Sequence, residues 1–224
     1  MINKVTVIGS GLMGAGIAAH LTNAGINVLL LDIPDKNSKN RNELADQAVK
    51  KLTKIKPFPL TLTENSKLIQ TGNTEDDFEL INDPDWVIEV IIEDVNIKKS
   101  LYERIENTMK DDLIISSNTS TIPLSKLIEG RSKKFVSNFF ITHFFNPPRY
   151  LKLLEIVSSK ESNTTFKKIL SDFCDLKLGK TVIDCNDTPG FIGNRIGVFW
   201  MMVAAEKAVK MGLTVEEADL IISS

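Results

Sequence analysis

The stretch KVTVIGSGLMG, residues 4–14, decides the fold class. Its first five residues are mostly β-branched and apolar, as in a buried strand, and glycines follow at positions 9, 11 and 14. A helix is predicted to begin at Met13. Glycines between a strand and a helix permit a tight turn, a close approach to a pyrophosphate and close packing of the helix, whose N-terminus offers amide donors. The segment therefore predicts a dinucleotide-binding loop.

Asp32 extends this prediction to the identity of the cofactor. It follows a second short apolar stretch, residues 27–31, at the distance expected for the acid of this motif. A carboxylate there can accept hydrogen bonds from ribose hydroxyls and would repel a 2′-phosphate, which favours NAD over NADP. Turn-forming glycines and a solvated acid at a strand end are the alternative interpretations. The residues predicted to bind the cofactor through this motif are Gly9, Gly11, Leu12, Met13, Gly14 and Asp32.

Short apolar runs alternate with segments of helical period along most of the chain. This alternation predicts an α/β fold, a Rossmann-type doubly wound and mainly parallel sheet. The predicted strands are Lys4–Ile8, Asn27–Leu31, Trp86–Val90, Leu113–Ser116, Val136–Thr142, Leu151–Val157 and Thr181–Asp184. The predicted helices are Met13–Ala24, Arg41–Ile55, Asn96–Met109, Thr164–Leu178 and Gly190–Met211. Residues 56–65, with Pro57 and Pro59, interrupt the alternation as an irregular loop.

The character of the sequence changes after residue 186. Asp187 or Thr188 is predicted to cap the following helix, whose middle is apolar on nearly every side. Such a helix needs partners all round, and Trp200, Met201 and Met202 are expected to pack on further helices or on a second subunit. We therefore predict two parts: a nucleotide-binding domain over residues 1–186 and the truncated beginning of an all-α domain over residues 187–224.

Composition and charge exclude several classes of function. The 224 residues carry a formal net charge of −2 with scattered lysines and arginines, which disfavours binding to nucleic acid or an anionic membrane. The longest apolar run, residues 197–205, is far shorter than the ~20 residues of a membrane span. Cys174 and Cys185 lack metal-ligand spacing, no metal site is predicted, and no signal peptide is visible. The expectation is a cytoplasmic protein.

The segment HFFNPP, residues 143–148, carries one of only two histidines and indicates the chemistry. Histidine suits the removal of a hydroxyl proton because its ordinary pKa of about 6.5 lies near working pH. His143 ends a predicted strand, and a turn leads into the next strand, so Glu155 can lie beside it and orient the ring. Spacing alone leaves this pairing open. The other histidine, His20, belongs to no motif and is predicted to be structural.

Four separated motifs together resemble the 3-hydroxyacyl-CoA dehydrogenase family. They are SNTS at residues 117–120, HFFNP at residues 143–147, Glu155, and DTPGFIGNR at residues 187–195. The likeness spans essentially all 224 residues and is greatest to the long bacterial and archaeal members. It implies NAD-dependent oxidation of L-3-hydroxyacyl-CoA to 3-oxoacyl-CoA in fatty-acid β-oxidation, with His143 as general base held by Glu155.

The resemblance also implies roles for five further residues. Ser120 is expected to bond the substrate oxygen and to lie beside the cofactor, and Asn194 to position the reacting carbonyl. Asn146 is expected near the nicotinamide, and Glu93 and Lys98 match positions that contact the cofactor. Read without the family, Glu93 and Lys98 suit a solvated helix start, and Ser120 suits a turn or cap hydroxyl.

Partners follow from the same resemblance: an acyl-CoA substrate, a homodimer through the helical domain, and in long members a fused enoyl-CoA hydratase-like domain. Residues 35–71 depart from the shorter members, so coenzyme A contacts are not carried over there, and Lys50, Lys51 and Lys54 remain candidates for phosphate binding. The chain alone is expected to bind NADH but to turn over poorly. Two alternatives remain: a non-catalytic NAD-binding relative, or a dehydrogenase of free β-hydroxy acids, which typically uses a lysine base.

Overall fold

A computed structural model describes residues 2–223, which contain an eight-stranded sheet in the order β3-β2-β1-β4-β5-β6-β7-β8. The strands are β1 (Lys4–Ile8), β2 (Asn27–Asp32), β3 (Ile69–Asn73), β4 (Trp86–Glu89), β5 (Ile114–Ser117), β6 (Phe139–Phe144), β7 (Leu153–Val157) and β8 (Thr181–Cys185). The first six run parallel, β7 pairs antiparallel with β6, and β8 pairs parallel with β7. The predicted doubly wound, mainly parallel α/β fold is confirmed.

Within residues 2–223, helices cover both faces of this sheet, and further helices follow its last strand. They are α1 (Leu12–Asn23), α2 (Glu43–Leu52), α3 (Val95–Thr108), α4 (Leu124–Leu127), α5 (Lys133–Asn138), α6 (Thr164–Leu176), α7 (Gly193–Lys210) and α8 (Val215–Ser223). One core lies between the sheet and α1, α2 and α6, and the other between the sheet and α3, α4 and α5. Because both faces are covered, the central strands are buried almost throughout, which explains their continuous apolar sequences.

The structure corrects three predicted elements and adds the strand β3. β3 was missed because its sequence, IQTGN, is mostly polar. The predicted strand at residues 136–142 is wrong at its start, since α5 occupies residues up to Asn138 and β6 begins at Phe139. The second helix is shorter than predicted, ending at Leu52, and the helix after Pro189 begins at Gly193 rather than Gly190.

The irregular loop after α2 is tied to the turn that follows β6. Arg149 donates hydrogen bonds to the carbonyl oxygens of Phe58 and Leu60 at 2.7 and 2.9 Å, and the Tyr150 hydroxyl donates to Phe58 at 3.0 Å. The proline-containing loop therefore packs against the segment that carries the HFFNPP motif.

Within residues 2–223, α7 and α8 contain no buried residue. Their apolar side chains are exposed, among them Phe199, Trp200 and Met202. The expectation that these residues pack on further helices or a second subunit, and the division of the chain at residue 186, stay predictions. Among the described helices, none combines the length and hydropathy needed to cross a bilayer.

Candidate active site

The glycine loop lies where β1 meets α1, at the edge of the sheet where the parallel strands end. Gly9 adopts φ +107°, and a Cβ there would lie 2.4 Å from the Val90 carbonyl oxygen. A Cβ on Gly14 would lie 1.8 Å from the carbonyl oxygen of Gly9. Gly11 differs, because a Cβ there would meet no atom within 4 Å. Gly9 and Gly14 are therefore required by the close packing of the backbone. Gly11 leaves free space above the loop, as a pyrophosphate requires.

Asp32, the last residue of β2, is bonded to this loop. One carboxylate oxygen accepts from the backbone amide of Ser10 at 2.7 Å and from its hydroxyl at 2.5 Å. The other accepts from the amide of Ile33 at 2.7 Å. Asp32 is thus a fixed part of the loop rather than a freely solvated acid, and a carboxylate has lone pairs left for ribose hydroxyls.

A cleft of about 680 Å³ opens beside the loop and Asp32. Its far wall is one face of α2 and the residues after it, including Leu44, Ala48, Lys51 and Lys54. Loop, open space, helix N-terminus and acid together fit an NAD adenosine and pyrophosphate. Lys51 and Lys54, two of the candidates for phosphate binding, line this same cleft.

Glu93 and Lys98 lie together beyond the end of β4, 3.4 Å apart. Glu93 also accepts from the amide of Ser120 at 3.1 Å and from the hydroxyls of Thr119 and Thr121. Burial raises the pKa of Glu93, but these hydrogen bonds and the charge of Lys98 outweigh it and hold that pKa below its usual value. These contacts therefore favour the ionised form of Glu93. The Lys98 side chain is only 1% exposed, so its ammonium lies beneath this surface.

Ser120 belongs to the loop that follows β5, and its neighbour Asn118 joins that loop to β6. The Asn118 side-chain oxygen accepts from the amide of Phe144 at 2.9 Å, directly after His143. Asn118 belongs to the SNTS motif, but the sequence predicted no role for it. Its position at the end of a parallel strand, followed by another polar residue, was the available signal.

His143 and Glu155 form the predicted pair. They are register partners of the antiparallel strands β6 and β7, and His143 Nδ1 lies 2.7 Å from Glu155 Oε2. Glu155 is fully buried and His143 is 6% exposed. The histidine ring packs against Phe145 and Phe191, with centroids 4.5 and 5.7 Å away. A carboxylate accepts hydrogen bonds and does not donate them, so a hydrogen bond from His143 to carboxylate Oε2 places the ring proton on Nδ1 and leaves the Nε2 lone pair free.

The second oxygen of Glu155 holds the start of α7. It accepts from the backbone amides of Ile192 and Gly193 at 2.9 and 2.7 Å. Glu155 thus satisfies the N-terminal donors of α7 while it orients His143. Asn194 is the next residue in this helical turn, so Glu155 places the backbone that carries it. A Cβ on Gly193 would lie 2.7 Å from the Phe145 ring, which shows how closely the helix approaches the site.

Asp187 caps a different helix from the one predicted. Its carboxylate accepts from the amides of Leu124 and Ser125 at 2.6 and 2.9 Å, and so caps α4. The expectation that Asp187 or Thr188 caps the following helix is wrong, because Glu155 accepts from the backbone amides at the start of that helix. The sequence carries no signal for a cap donated across 63 residues.

The turn after β6 is anchored by Lys180, which sequence reasoning also missed. Its ammonium donates to the carbonyl oxygens of Pro148 and Leu151, the latter at 2.8 Å. Burial lowers the pKa of Lys180 to about 8. Asn146, predicted to lie near the nicotinamide, is an exposed residue of this turn.

The remaining candidates match structural roles. His20 Nε2 lies 3.1 Å from the Leu178 carbonyl oxygen, and burial, with the charge of Lys180, lowers the pKa of His20 to about 4.

Burial and the nearby Glu155 raise the pKa of Cys185 to about 11, so this thiol is protonated at neutral pH. Within the described residues, no three His, Cys, Asp or Glu side chains come together as a metal site would require.

A family profile and several curated relatives point to the same family. The family profile described as "3-hydroxyacyl-CoA dehydrogenase, NAD binding domain" matches residues 4–188. A "Probable 3-hydroxyacyl-CoA dehydrogenase" of Bacillus subtilis is 45% identical over 234 residues, covering 98% of this chain and 30% of that protein. A "Putative fatty acid oxidation complex trifunctional enzyme" of Rickettsia felis is 46% identical over 222 residues, covering 99% of this chain and 31% of that protein.

A solved structure agrees with these relatives. The 3-hydroxybutyryl-CoA dehydrogenase of Escherichia coli superposes with a TM-score of 0.80 at 28% identity, covering 96% of this chain and 44% of that one. The chain thus spans less than a third of the Bacillus and Rickettsia proteins. The match over residues 4–188 includes the glycine loop, Asp32, His143 and Glu155. This chain belongs to the family of NAD-binding domains of 3-hydroxyacyl-CoA dehydrogenases.

Proposed function

We propose that this protein oxidises L-3-hydroxyacyl-CoA to 3-oxoacyl-CoA with NAD, in the β-oxidation of fatty acids, and that His143 is the general base. The observation that carries the proposal is the buried contact of 2.7 Å between His143 Nδ1 and Glu155 Oε2, at the same end of the sheet as the glycine loop. In this oxidation, hydride leaves a substrate carbon and a proton leaves the oxygen bonded to that carbon. The same edge of the sheet carries both the cofactor cleft and the proposed base.

The base needs a defined tautomer and a stabilised conjugate acid. Glu155 supplies both, because its Oε2 accepts from Nδ1 and leaves Nε2 free to take the hydroxyl proton. As that proton arrives, the imidazolium forms against a carboxylate that is fully buried, where charge attraction is strong. NAD, when bound, accepts the hydride that leaves the carbon bearing this hydroxyl group.

The roles proposed for Ser120 and Asn194 toward the substrate rest on where their backbone lies. Ser120 lies on the loop held by Glu93 and Asn118, and Asn194 lies in the first turn of α7, which Glu155 holds. Side chains on such fixed backbone can orient the reacting oxygen without a large entropic cost. Asn146, Glu93 and Lys98 are proposed on the nicotinamide side. The acyl-CoA preference rests on the family and on the names of the relatives, as does β-oxidation.

The test is NADH formation followed by absorbance with three candidate substrates: L-3-hydroxybutyryl-CoA, its D-isomer and free 3-hydroxybutyrate. We expect slow turnover with the L-thioester and NAD, since this chain alone is expected to turn over poorly, and none above background with NADP or with the other two compounds. Turnover of the free acid at an equal rate would instead support a dehydrogenase of β-hydroxy acids. NADH binding without turnover of any thioester would support a non-catalytic relative.

A further inference from the structure

Glu89, the last residue of β4, is a buried acid at the end of an apolar strand, and the proposed reaction does not use it. It is fully buried, and so is its partner Lys98, whose ammonium lies 2.5 Å from Glu89 Oε1. The other oxygen accepts from the hydroxyls of Tyr102 and Ser117, at 2.5 and 2.6 Å. Burying two charges is costly unless every bond is made, so this cluster holds its members in one arrangement.

The cluster is connected to two loops at the cofactor edge. On one side, Glu89 Oε1 accepts from the amide of Ile91 at 2.8 Å, and Lys98 reaches Glu93. These contacts fix the loop between β4 and α3. On the other side, the Ser117 hydroxyl accepts from the amide of Thr119 at 3.2 Å. That contact fixes the start of the loop that carries Ser120.

The two loops are also bonded to each other, through Glu93 and the residues Thr119, Ser120 and Thr121. Asn118 then links the second loop to β6 at Phe144, next to His143. These hydrogen bonds, joined by the backbone of residues 117–119, therefore connect a carboxylate inside the protein to the backbone beside the proposed base.

We propose that Glu89 is a positioning residue that sets the two loops relative to each other and thereby shapes the nicotinamide half of the cofactor site. It touches neither cofactor nor substrate. It acts through Lys98 and Glu93 on one loop and through Ser117 on the other. This inference rests on the proposed function, since it assigns the loops to the nicotinamide side.

The test compares two hydroxyl deletions, because Glu89→Gln leaves a buried ammonium without its counter-charge and threatens folding. Ser117→Ala and Tyr102→Phe each remove one short hydrogen bond to the same oxygen of Glu89. Only Ser117 also bonds a loop. Tyr102 lies on α3, among Phe135 and Phe139, and serves as the matched control.

We expect Ser117→Ala to raise the Kd for NADH about tenfold, the size of one lost bond to a buried charge, and to alter the fluorescence of bound NADH. Tyr102→Phe should change that Kd less than about twofold, although both variants should lower the unfolding temperature by similar amounts. Equal changes in Kd, or an unchanged Kd in Ser117→Ala, would overturn the inference and leave the proposed function standing. Failure of the unaltered protein to bind NADH would overturn both.

Discussion

The glycine loop and the His143–Glu155 pair lie at the same edge of the sheet but are built in opposite ways. The loop depends on what is absent: a Cβ on Gly14 would lie 1.8 Å from a backbone oxygen, and Gly11 leaves empty space. The pair depends on a buried charge whose oxygens accept from a histidine and from two helix amides. In the proposed reaction, cofactor binding would depend on the shape of the loop, and proton transfer on the electrostatics of the pair. Substitutions in the loop should therefore change the Kd for NADH, and substitutions in the pair should change kcat.

The largest effect is expected from His143→Gln. Loss of a general base should lower kcat about 10³-fold, while the Kd for NADH stays within about twofold, because the loop is untouched. Steady-state rates and NADH fluorescence titration measure the two quantities. His20→Gln is the control, since it replaces the other histidine at a structural position. Full activity in His143→Gln would remove His143 from the mechanism.

Glu155→Gln should lower kcat about 10²-fold. The amide group keeps an oxygen that can accept from Ile192 and Gly193, but it cannot stabilise an imidazolium or enforce the tautomer of His143 as a carboxylate does. Glu161→Gln, the same change at an exposed position, is the control. If kcat were unchanged, the 2.7 Å contact would be structural only.

Two alanine substitutions test the steric roles of the glycines in the loop. Gly11→Ala should leave the unfolding temperature unchanged and weaken NADH binding about tenfold, because the new methyl occupies the space above the loop. Gly14→Ala should instead lower the free energy of unfolding by about 2–3 kcal/mol, because its methyl meets backbone. Thermal unfolding and NADH titration distinguish them. Equal loss of stability in both would contradict this division of roles.

The smallest effect concerns pH. The pKa of His20 falls to about 4 in the folded protein, so the unfolded chain binds more protons between that pH and about 6.5. The contribution of His20 to stability should therefore be complete above about pH 7 and decline as pH falls through this window, by about 1 kcal/mol at pH 5.5. Denaturant unfolding of the unaltered protein and of His20→Gln measures it. An identical decline in the variant would assign the pH dependence to other groups.

The accuracy of prediction from sequence differed between the two regions. The glycine loop and Asp32 are close in sequence, and their spacing alone predicted a strand, a turn and a helix, which the structure confirms. His143 and Glu155 are 12 residues apart, and spacing left their contact open. Their contact follows from antiparallel pairing and its register, since a slip of one residue would turn one side chain to the opposite face.

The long-range contacts were beyond sequence reasoning. Glu89 stood in the apolar segment WVIEV, where an acid is itself a signal of a buried partner, but nothing named Lys98 or Ser117 as that partner. Asp187, one of two predicted capping residues, does cap a helix, but a different one from the helix predicted. Local propensity identifies a donor or acceptor, but only the packed chain selects its partner.

The sequence by itself determined the fold class, the nucleotide loop and the candidate base, because glycine spacing, apolar alternation and residue chemistry are local properties. Only the tertiary structure decided that one buried carboxylate both orients His143 and holds the first turn of α7. It also decided that Glu89 joins two loops from inside the protein. The physical reason is common to both: a buried charge must satisfy all its lone pairs, and the donors that do so come from distant parts of the chain.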